Sequence, residues 1–399
     1  MESNLSIFDF DHKSLYAAFD VYPSAKGAAT HISHMTETLF EVFHGGMLYV
    51  LGASNLPTWQ AEEATEIIRL KLEEPNYLAR GQLFSTQLSK EIRNHPKLEL
   101  CHFRDIWGGL GILQAGRRYR TLFEVNGLPS IELPYRYPSL GIRTLNKLKQ
   151  LEQFCLKESD HILVPSEVIR RHLMDRGIHR QKISLISNGA MYRPEIVPQE
   201  KMTNPYLIYF GALQPWQGLD DLLKAFANLR DLEELRLVIC ASHKRRIAKA
   251  YHKLAEKMDI ADRIIWHYRL DKAELNGWIS QAMLSIAPLK ACSRNISQGC
   301  SPLKILESMA CGTAIVASDL PVVREIVEDN KTARLVRAER PAELARVIRF
   351  LLEYPEEREK LARNALETLK QDFQWKRKQS ELKNLYLQML QGNSKELSP

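Results

Sequence analysis

The sequence predicts an α/β protein made of two doubly wound domains that face a central cleft. Two observations lead to this prediction. Short apolar segments, typical of buried parallel strands, alternate with longer helical patterns along most of the 399 residues. These segments form two series of similar size, separated by a stretch rich in proline and polar residues, 194–205. We therefore expect two Rossmann-like domains, one within residues 1–195 and the other within residues 203–372.

The first series contains the N-terminal strands and helices. We expect strands at 15–19, 47–51, 98–103, 120–125, 161–164 and 183–186, and helices at 27–43, 145–157 and 167–174. A strand, a loop containing Gly27 and a helix resemble the opening of a nucleotide-binding unit. Open α/β sheets bind their ligands beyond the carboxyl ends of the strands, so polar residues there are candidates for ligand contact. These candidates are His102, Arg104, Asp105, Glu124 and Asn126.

The second series begins after the linker. We expect strands at 207–210, 235–240, 264–266, 284–287 and 314–317, and helices at 219–229, 244–258, 272–281, 322–327, 341–352 and 356–371. The tail, 372–390, has the apolar spacing of an amphipathic helix. A basic cluster, 243–246, lies at the start of the expected helix 244–258, without interleaved aromatic residues. We interpret the cluster as a solvated helix face, and no nucleic-acid partner is expected.

One short helix of the second series carries the clearest chemistry. Ser301 is expected to cap this helix, with Pro302 at its first position and Gly312 just past its end. The free amides and the dipole of a helix N-terminus favour an anion, and Lys304 adds a full positive charge in the first turn. Glu307 follows on the same side of the helix. A cation beside a deeper carboxylate suits a nucleotide, in which a diphosphate is followed by a ribose.

The composition excludes several classes of protein. A hydrophobic fraction of 45% and a charged fraction of 26% are typical of a soluble globular chain. The six cysteines have no metal-ligand spacing, which indicates reduced thiols in a cytoplasmic protein and no metal site. The N-terminus does not resemble a secretory signal, and no apolar stretch has the length that spans a bilayer. The net charge of +7 is compatible with an anionic ligand.

Several stretches resemble the glycosyltransferase family 4 group, which has the GT-B fold of two Rossmann-like domains. In the family's order they are Leu156–Ser166, Ser187–Gly189, Tyr209–Leu213, Gln217–Leu219, Leu284–Pro288, Glu307–Ser318 and Phe373–Trp375. The resemblance implies transfer of a sugar from a nucleotide-sugar donor, with retention at the anomeric carbon and without an obligatory metal. It also implies that the C-terminal domain binds the donor and the N-terminal domain the acceptor. A tail helix, 373–399, would cross back to complete the N-terminal domain.

The resemblance assigns donor-binding roles to individual residues. Glu307 matches the glutamate that binds the donor ribose. The backbone of Ser301 and Leu303 matches the amides that face the diphosphate. Tyr268–Leu270 matches the loop whose main chain reads the base, and Gly27 matches the glycine loop that approaches the donor phosphate.

The chain departs from the family pattern at several positions. Gly299 replaces the first glutamate of the family's paired motif, which normally lies near the transferred sugar. After Gly211, in the loop that opens the donor domain, the family's two cations are replaced at or beside Ala212 and Gln217. Asn126 replaces a histidine that many members have after the fourth strand. An amide can form hydrogen bonds but cannot act as a general base.

The missing cations change the expected catalytic roles. A diphosphate leaving group needs positive charge, and Lys304 is the expected substitute, with Arg294 and Lys290 nearby in the sequence. Asn126 and His102, the remaining imidazole at a strand end, are the candidates for the acceptor side.

The sequence therefore favours a retaining hexosyltransferase that moves glucose from UDP-glucose to a saccharide or lipid-linked saccharide in polysaccharide biosynthesis. A lipid-linked acceptor would bring this cytoplasmic protein to the inner face of the membrane. Three alternatives stay open, namely a nucleotide-sugar 2-epimerase on the same fold, a binding or scaffold protein that has lost activity, and a nucleic-acid binder, which only the net charge of +7 suggests. Gly299, Ala212 and Gln217 favour the second of these alternatives.

Overall fold

A computed structural model describes residues 11–24, 27–116, 118–192 and 202–391, which form two α/β domains with one sheet each. The N-terminal domain contains β1 (Ser14–Val21), α1 (Gly27–Phe43), β2 (Gly46–Leu51), β3 (Trp59–Glu62), β4 (Thr65–Leu70), α2 (Tyr77–Arg93), β5 (Leu100–Phe103), α3 (Ile106–Gln114), β6 (Arg120–Glu124), α4 (Pro129–Arg136), α5 (Ile142–Glu158), β7 (His161–Val164), α6 (Glu167–Asp175) and β8 (Ile183–Leu185). The C-terminal domain contains β9 (Tyr206–Gly211), α7 (Leu219–Ala227), β10 (Arg236–Ala241), α8 (Lys249–Lys257), β11 (Ile264–Tyr268), α9 (Lys272–Ser280), β12 (Leu284–Ala287), α10 (Leu303–Ala310), β13 (Ile315–Ser318), α11 (Pro321–Arg324), β14 (Arg334–Val336), α12 (Pro341–Glu353) and α13 (Pro355–Asp372). The last helix is α14 (Trp375–Gln391).

The N-terminal sheet has eight strands in the order β3-β4-β2-β1-β5-β6-β7-β8. Its strand pairs are parallel except for the β3–β4 hairpin. Strand β1 is buried on both faces, with Leu15 and Ala17 in one core and Tyr16 and Ala18 in the other. This double burial explains why the strand has a continuous apolar sequence rather than an alternating one.

The C-terminal sheet has six parallel strands in the order β11-β10-β9-β12-β13-β14. Its strand β9 is also buried on both faces, with Leu207 and Tyr209 in one core and Ile208 and Phe210 in the other. Two doubly wound domains with largely parallel sheets confirm the predicted fold class. The carboxyl ends of parallel strands lie at one edge of each sheet, which is where a ligand binds in this architecture.

The tail helix α14 packs on α1 of the N-terminal domain. Trp375 and Tyr386 are buried in the core that also contains Tyr16. Between the two helices, Lys383 bonds to Glu41 at 2.5 Å. The predicted boundary between the domains stays a prediction, because 193–201 lies outside the described residues. Within the described ranges, no helix is long and apolar enough to cross a membrane.

Helix α10 starts one residue later than the sequence predicts. Pro302 has the extended conformation of the cap residue, so the first helical residue is Leu303, and Ser301 makes no capping hydrogen bond. Ser301 is engaged elsewhere, because its Oγ accepts from the amide of Asn188 at 3.3 Å and its carbonyl accepts from Asn188 Nδ2 at 2.9 Å. The left-handed Gly312, at φ +68°, is confirmed just past the helix end.

The glycine-rich helix α3 was not predicted, because glycine disfavours a helix interior. Tertiary packing overrides this propensity. A Cβ at Gly109 would lie 2.5 Å from the ring of Phe103, so the close approach of α3 to the sheet requires glycine. Asp105 caps the helix by accepting from the amides of Trp107 and Gly108 at 3.0 and 2.9 Å.

Candidate active site in the interdomain cleft

A cavity of about 920 Å³ lies between the two domains. Its walls come from the loop after β1, the start of α1 and helix α4 on one side, and from the loops after β9, β10 and β11 and the start of α10 on the other. Most of the predicted donor-binding residues lie on these walls, namely Gly27, Gly211, Arg269, Leu270, Arg294, Ser301, Leu303, Lys304 and Glu307. Residues that the sequence places far apart therefore meet at one site.

Two helix N-termini converge in this cavity. Helix α1 begins at Gly27 and helix α10 at Leu303, and a Cβ at Gly27 would lie 3.0 Å from Leu303 Cδ1. Neither helix has an acidic residue in its first turn to neutralise its dipole. Both positive dipole ends therefore face the same space, and their free amides provide donors for an anion.

Lys304 carries a buried positive charge into the same region. The side chain is only 8% exposed, and its Nζ has no hydrogen-bond partner within the described residues. The Nζ atom lies 4.0 Å from the centroid of the Tyr209 ring, which gives it a cation–π contact. Burial lowers the pKa of the Lys304 ammonium to about 7, although the Glu307 carboxylate opposes this change. A buried, unpaired cation destabilises a fold, so we interpret Lys304 as a group that awaits an anionic ligand.

The two other basic residues that the sequence places near this helix are paired with carboxylates. Arg294 lines the cavity, but its Nε donates to Glu132 Oε1 at 3.1 Å. Lys290 donates to Asp220 Oδ2 at 2.7 Å and is not one of the lining residues. Lys304 is thus better suited than either of them to contribute free charge to a diphosphate.

Glu307 lies one turn beyond Lys304 on the cavity wall. Its Oε1 bonds to the ammonium of Lys272, which comes from the first turn of α9. Only part of the predicted base-reading loop, Tyr268–Leu270, lines the cavity. Arg269 and Leu270 line the cavity, whereas the Tyr268 hydroxyl bonds to His252 Nε2 at 2.7 Å and is not on the cavity wall.

The structure places His102 in the core of the N-terminal domain, which corrects the expectation that it faces the acceptor. The imidazole is fully buried, with Nδ1 bonded to the Tyr386 hydroxyl at 2.8 Å and Nε2 at 3.2 Å from Glu124 Oε2. The second oxygen of Glu124 contacts His31 Nε2. Burial would raise the pKa of the Glu124 carboxyl, but the charge and hydrogen bonds of its histidine neighbours hold it well below its usual range.

Asn126 belongs to the same buried network. Its Nδ2 donates to Glu124 Oε1, and Asn126 is not among the residues that line the cavity. The sequence alone did not identify His31 as part of this network. Its position one turn into α1 could have indicated a side chain that faces the sheet. Through Glu124, this network joins His31 of α1 to strand β6 and to Tyr386 of α14, so we interpret its role as positioning α1 rather than contacting the acceptor.

Gly299 has a structural reason to lack a side chain. Its φ of +86° is in the left-handed region, and a Cβ would lie 2.9 Å from the Val168 side chain of the N-terminal domain. The residue therefore lies where the two domains touch. A glutamate at this position would need both a strained backbone and a displaced neighbour.

The described residues contain no group of three or more histidine, cysteine, aspartate or glutamate side chains that could hold a metal ion. Besides the helix amides, the cavity wall carries cationic and anionic side chains, namely Arg136, Arg269, Lys272, Arg294, Lys304, Asp20, Glu132, Asp271 and Glu307. These groups can bind an anion that is attached to hydroxyl-bearing rings.

Comparisons with known proteins cover both domains. The family model described as "Glycosyl transferases group 1" matches residues 194–368, and the model "Glycosyltransferase Family 4" matches residues 25–190. An uncharacterized glycosyltransferase of Methanocaldococcus jannaschii is 24% identical over 60% of this chain and 61% of its own length. A D-inositol 3-phosphate glycosyltransferase of Thermomonospora curvata is 30% identical over 57% of this chain and 52% of its own length. The chain thus spans little more than half the length of these curated relatives.

Solved structures share the fold over nearly the whole chain. A sucrose-phosphate synthase of Thermosynechococcus elongatus superposes with a TM-score of 0.80 at 18% identity, covering 95% of this chain and 100% of that one. Anabaena Alr3699/HepE in complex with UDP-glucose superposes with a TM-score of 0.73 at 14% identity, covering 94% of this chain and 100% of that one. At these identities the likeness concerns the fold.

We predict that Lys304→Met raises the free energy of unfolding at pH 7 by roughly 1–3 kcal/mol, because it removes a buried unpaired cation. The folded pKa of Lys304, about 7, lies below the ordinary value of 10.5. The unfolded chain therefore binds more protons between these two values, and the wild type gains stability as the pH rises through that window. The advantage of the variant should be largest at pH 7 and below, and should shrink towards pH 10. Urea denaturation at several pH values measures it.

Lys290→Met is the matched control, because Lys290 is a lysine with a carboxylate partner. It should leave stability unchanged or lower it. A Lys304→Met protein that is less stable than the wild type at pH 7 would contradict the interpretation of Lys304 as an unpaired cation.

We predict that Gly299→Ala lowers the free energy of unfolding by about 2–3 kcal/mol, since it combines backbone strain with contact against Val168. Gly177→Ala is the control, because Gly177 has a similar φ of +80° but open space around its Cβ position. The control should cost only about 1 kcal/mol. Adding Val168→Ala to Gly299→Ala should recover part of the loss. Equal losses at positions 299 and 177 in thermal and urea unfolding would exclude the interdomain contact.

Proposed function

Because the chain belongs to the family 4-like glycosyltransferases of the GT-B fold, we propose that it transfers a hexose from a UDP-sugar to a saccharide acceptor with retention at the anomeric carbon. One observation carries the proposal. Lys304, whose buried ammonium has no hydrogen-bond partner among the described residues, lines the interdomain cavity where two helix N-termini meet. A pyrophosphate supplies the negative charge and the multiple acceptor oxygens that this arrangement lacks.

The same groups would assist bond breaking. When the bond between the anomeric carbon and the phosphate oxygen breaks, negative charge grows on the leaving diphosphate. Lys304 and the amides at the starts of α1 and α10 stabilise that charge in place, without reorganisation. The leaving oxygen then accepts the proton of the acceptor hydroxyl on the same face of the sugar, which retains the configuration. No metal is needed for this step.

The nucleoside would occupy the wall that continues from Lys304 to Glu307. The Glu307 carboxylate, oriented by Lys272, accepts hydrogen bonds from the ribose hydroxyls. The main chain of Arg269 and Leu270 contacts the base, and Arg269 has an unusual left-handed backbone at φ +58°. Backbone groups in such a fixed conformation can distinguish one base from another without side chains.

We propose UDP-glucose as the donor by analogy with a protein of the same fold. Anabaena Alr3699/HepE, which shares the fold, was solved with UDP-glucose. A saccharide or lipid-linked saccharide of a polysaccharide pathway is the proposed acceptor, and with a lipid-linked acceptor the cytoplasmic protein would work at the inner membrane face.

A panel of nucleotide sugars tests the function. We expect UDP-glucose to raise the melting temperature and to be hydrolysed slowly without acceptor, with EDTA leaving the rate unchanged. Proton NMR of the products distinguishes hydrolysis from epimerisation at C2. Binding of UDP without any turnover on the acceptor panel would favour the binding protein, and an epimerised donor would favour the epimerase. Lys304→Met should lose at least tenfold in UDP affinity.

The pH dependence of UDP binding follows from the lowered pKa of Lys304. Below pH 7 the ammonium is charged in both the free and the bound protein, so Lys304 adds no pH dependence there, and any change in affinity comes from the terminal phosphate of UDP, which takes up a proton at about pH 6. Above pH 7 the free protein must take up a proton to bind, and the dissociation constant should rise by up to tenfold per pH unit. Calorimetry in two buffers of different ionisation enthalpy detects the proton. Equal pH profiles for the wild type and Lys304→Met would exclude Lys304 as the proton acceptor.

We predict that Glu307→Gln weakens UDP binding by about tenfold, because an amide is a poorer acceptor for two ribose hydroxyls than a carboxylate. The melting temperature should change little. Glu325→Gln is the control, because Glu325 accepts from the amides of Glu167 and Val168 at 2.8 and 3.0 Å, outside the cavity wall. The control should lower stability and preserve UDP affinity. If both variants lose UDP affinity equally, Glu307 has no direct role in binding.

A further inference from the structure

One of the carboxylates on the cavity wall comes from helix α4 of the N-terminal domain. Glu132, in α4, lines the cavity, and its Oε1 accepts from Arg294 Nε at 3.1 Å and from Gln298 Nε2 at 3.0 Å. Both donors belong to the C-terminal domain. Both bonds end on Oε1, no described residue donates a hydrogen bond to Oε2, and the side chain is 28% exposed, so Oε2 can accept from a ligand.

The partners of Glu132 are themselves held in place. Arg294 Nη1 donates to the carbonyl of Gly299 at 3.0 Å, and the guanidinium of Arg294 lies 5.6 Å from the centroid of the Trp216 ring. Gln298 is fully buried, and its Oε1 accepts from the amide of Leu128 at 2.9 Å. Because its donors are fixed, the Glu132 carboxylate is held in one orientation. A group that recognises a ligand is expected to be fixed in this way, whereas a charge on the protein surface is usually mobile.

Glu132 and Glu307 line the same cavity, and the α10 tip lies between them in the order of the contacts along the chain. The partners of Glu132, Arg294 and Gln298, are in the turn that precedes the tip, whereas Glu307 is one turn into the helix. A nucleotide sugar has the nucleoside at one end of its pyrophosphate and the hexose at the other. If the ribose lies at Glu307, the hexose extends towards Glu132.

We propose that Glu132 Oε2 accepts hydrogen bonds from hydroxyl groups of the transferred hexose and thereby selects the sugar. The proposal rests on the proposed function, since it requires a pyrophosphate at the α10 tip. A fixed carboxylate rejects a sugar that lacks the matching hydroxyl, because its oxygen would stay unpaired in a partly buried site. Since Glu132 and its donors come from different domains, the sugar site is complete only in this arrangement of the two domains.

This role also fits the backbone at Gly299. That residue is next to Gln298, cannot carry a side chain without strain, and lies against Val168. A carboxylate for the sugar therefore cannot come from position 299 in this chain. Glu132 supplies one from across the cleft, tied to the Gly299 carbonyl through Arg294.

The test compares Glu132→Gln and Glu132→Ala with the wild type, using UDP, UDP-glucose and the deoxy-glucose analogues of UDP-glucose. We expect kcat/KM for donor hydrolysis to fall about tenfold in Glu132→Gln and about a hundredfold in Glu132→Ala. The dissociation constant of UDP alone should stay within about twofold. For the analogue that lacks the contacted hydroxyl, the wild type should discriminate by at least about tenfold, and Glu132→Ala should not.

Tyr135→Phe is the matched control, because the Tyr135 hydroxyl bonds to Ser293 Oγ at 2.9 Å across the same interface without a carboxylate. It should preserve the sugar preference. A parallel loss of UDP and UDP-glucose affinity in the Glu132 variants, or unchanged discrimination among the analogues, would overturn the proposal and show that Glu132 only joins the domains. If wild-type protein binds no UDP, or Lys304→Met binds it fully, the proposed function itself fails and this inference fails with it.

Discussion

The cleft is organised around one unfavourable interaction, the burial of the Lys304 ammonium without a hydrogen-bonding partner in the part of the chain that the structure describes. Two helix N-termini, at Gly27 and Leu303, add positive potential to the same place instead of relieving it. A folded chain tolerates such a concentration of positive charge at a site where a bound anion neutralises it. The cost to stability and the capacity to bind a diphosphate therefore have the same physical origin.

The cavity belongs to both domains, and polar contacts between them define its shape. Asn188 holds the residue before the α10 cap, Glu132 binds Arg294 and Gln298, and Glu325 caps the first amides of α6. The pyrophosphate site and the sugar site thus depend on the position of one domain relative to the other. A change at this interface would be expected to alter substrate selection before it altered the fold of either domain.

Local sequence patterns predicted those helix limits and caps that depend on residues close together in the chain. Helix α1 has the predicted limits, 27–43, and Gly312 adopts the left-handed conformation expected after a helix end. Helices α3 and α4 were missed, because their glycines and prolines indicate loops when packing is ignored. The start of α10 was misplaced by one residue, because Ser301 bonds to Asn188 rather than to its own helix.

The sequence by itself determined the two-domain α/β fold, the resemblance to family 4 and the presence of Lys304 and Glu307 on one short helix. The tertiary structure alone decided which charges are paired. It paired Arg294 and Lys290 with carboxylates, left Lys304 with no hydrogen-bond partner within the described ranges, buried His102 against Tyr386, 284 residues away, and brought Glu132 to the cavity. The physical reason is range, because propensities and caps act over a few residues whereas desolvation and ion pairing depend on neighbours supplied by the whole chain.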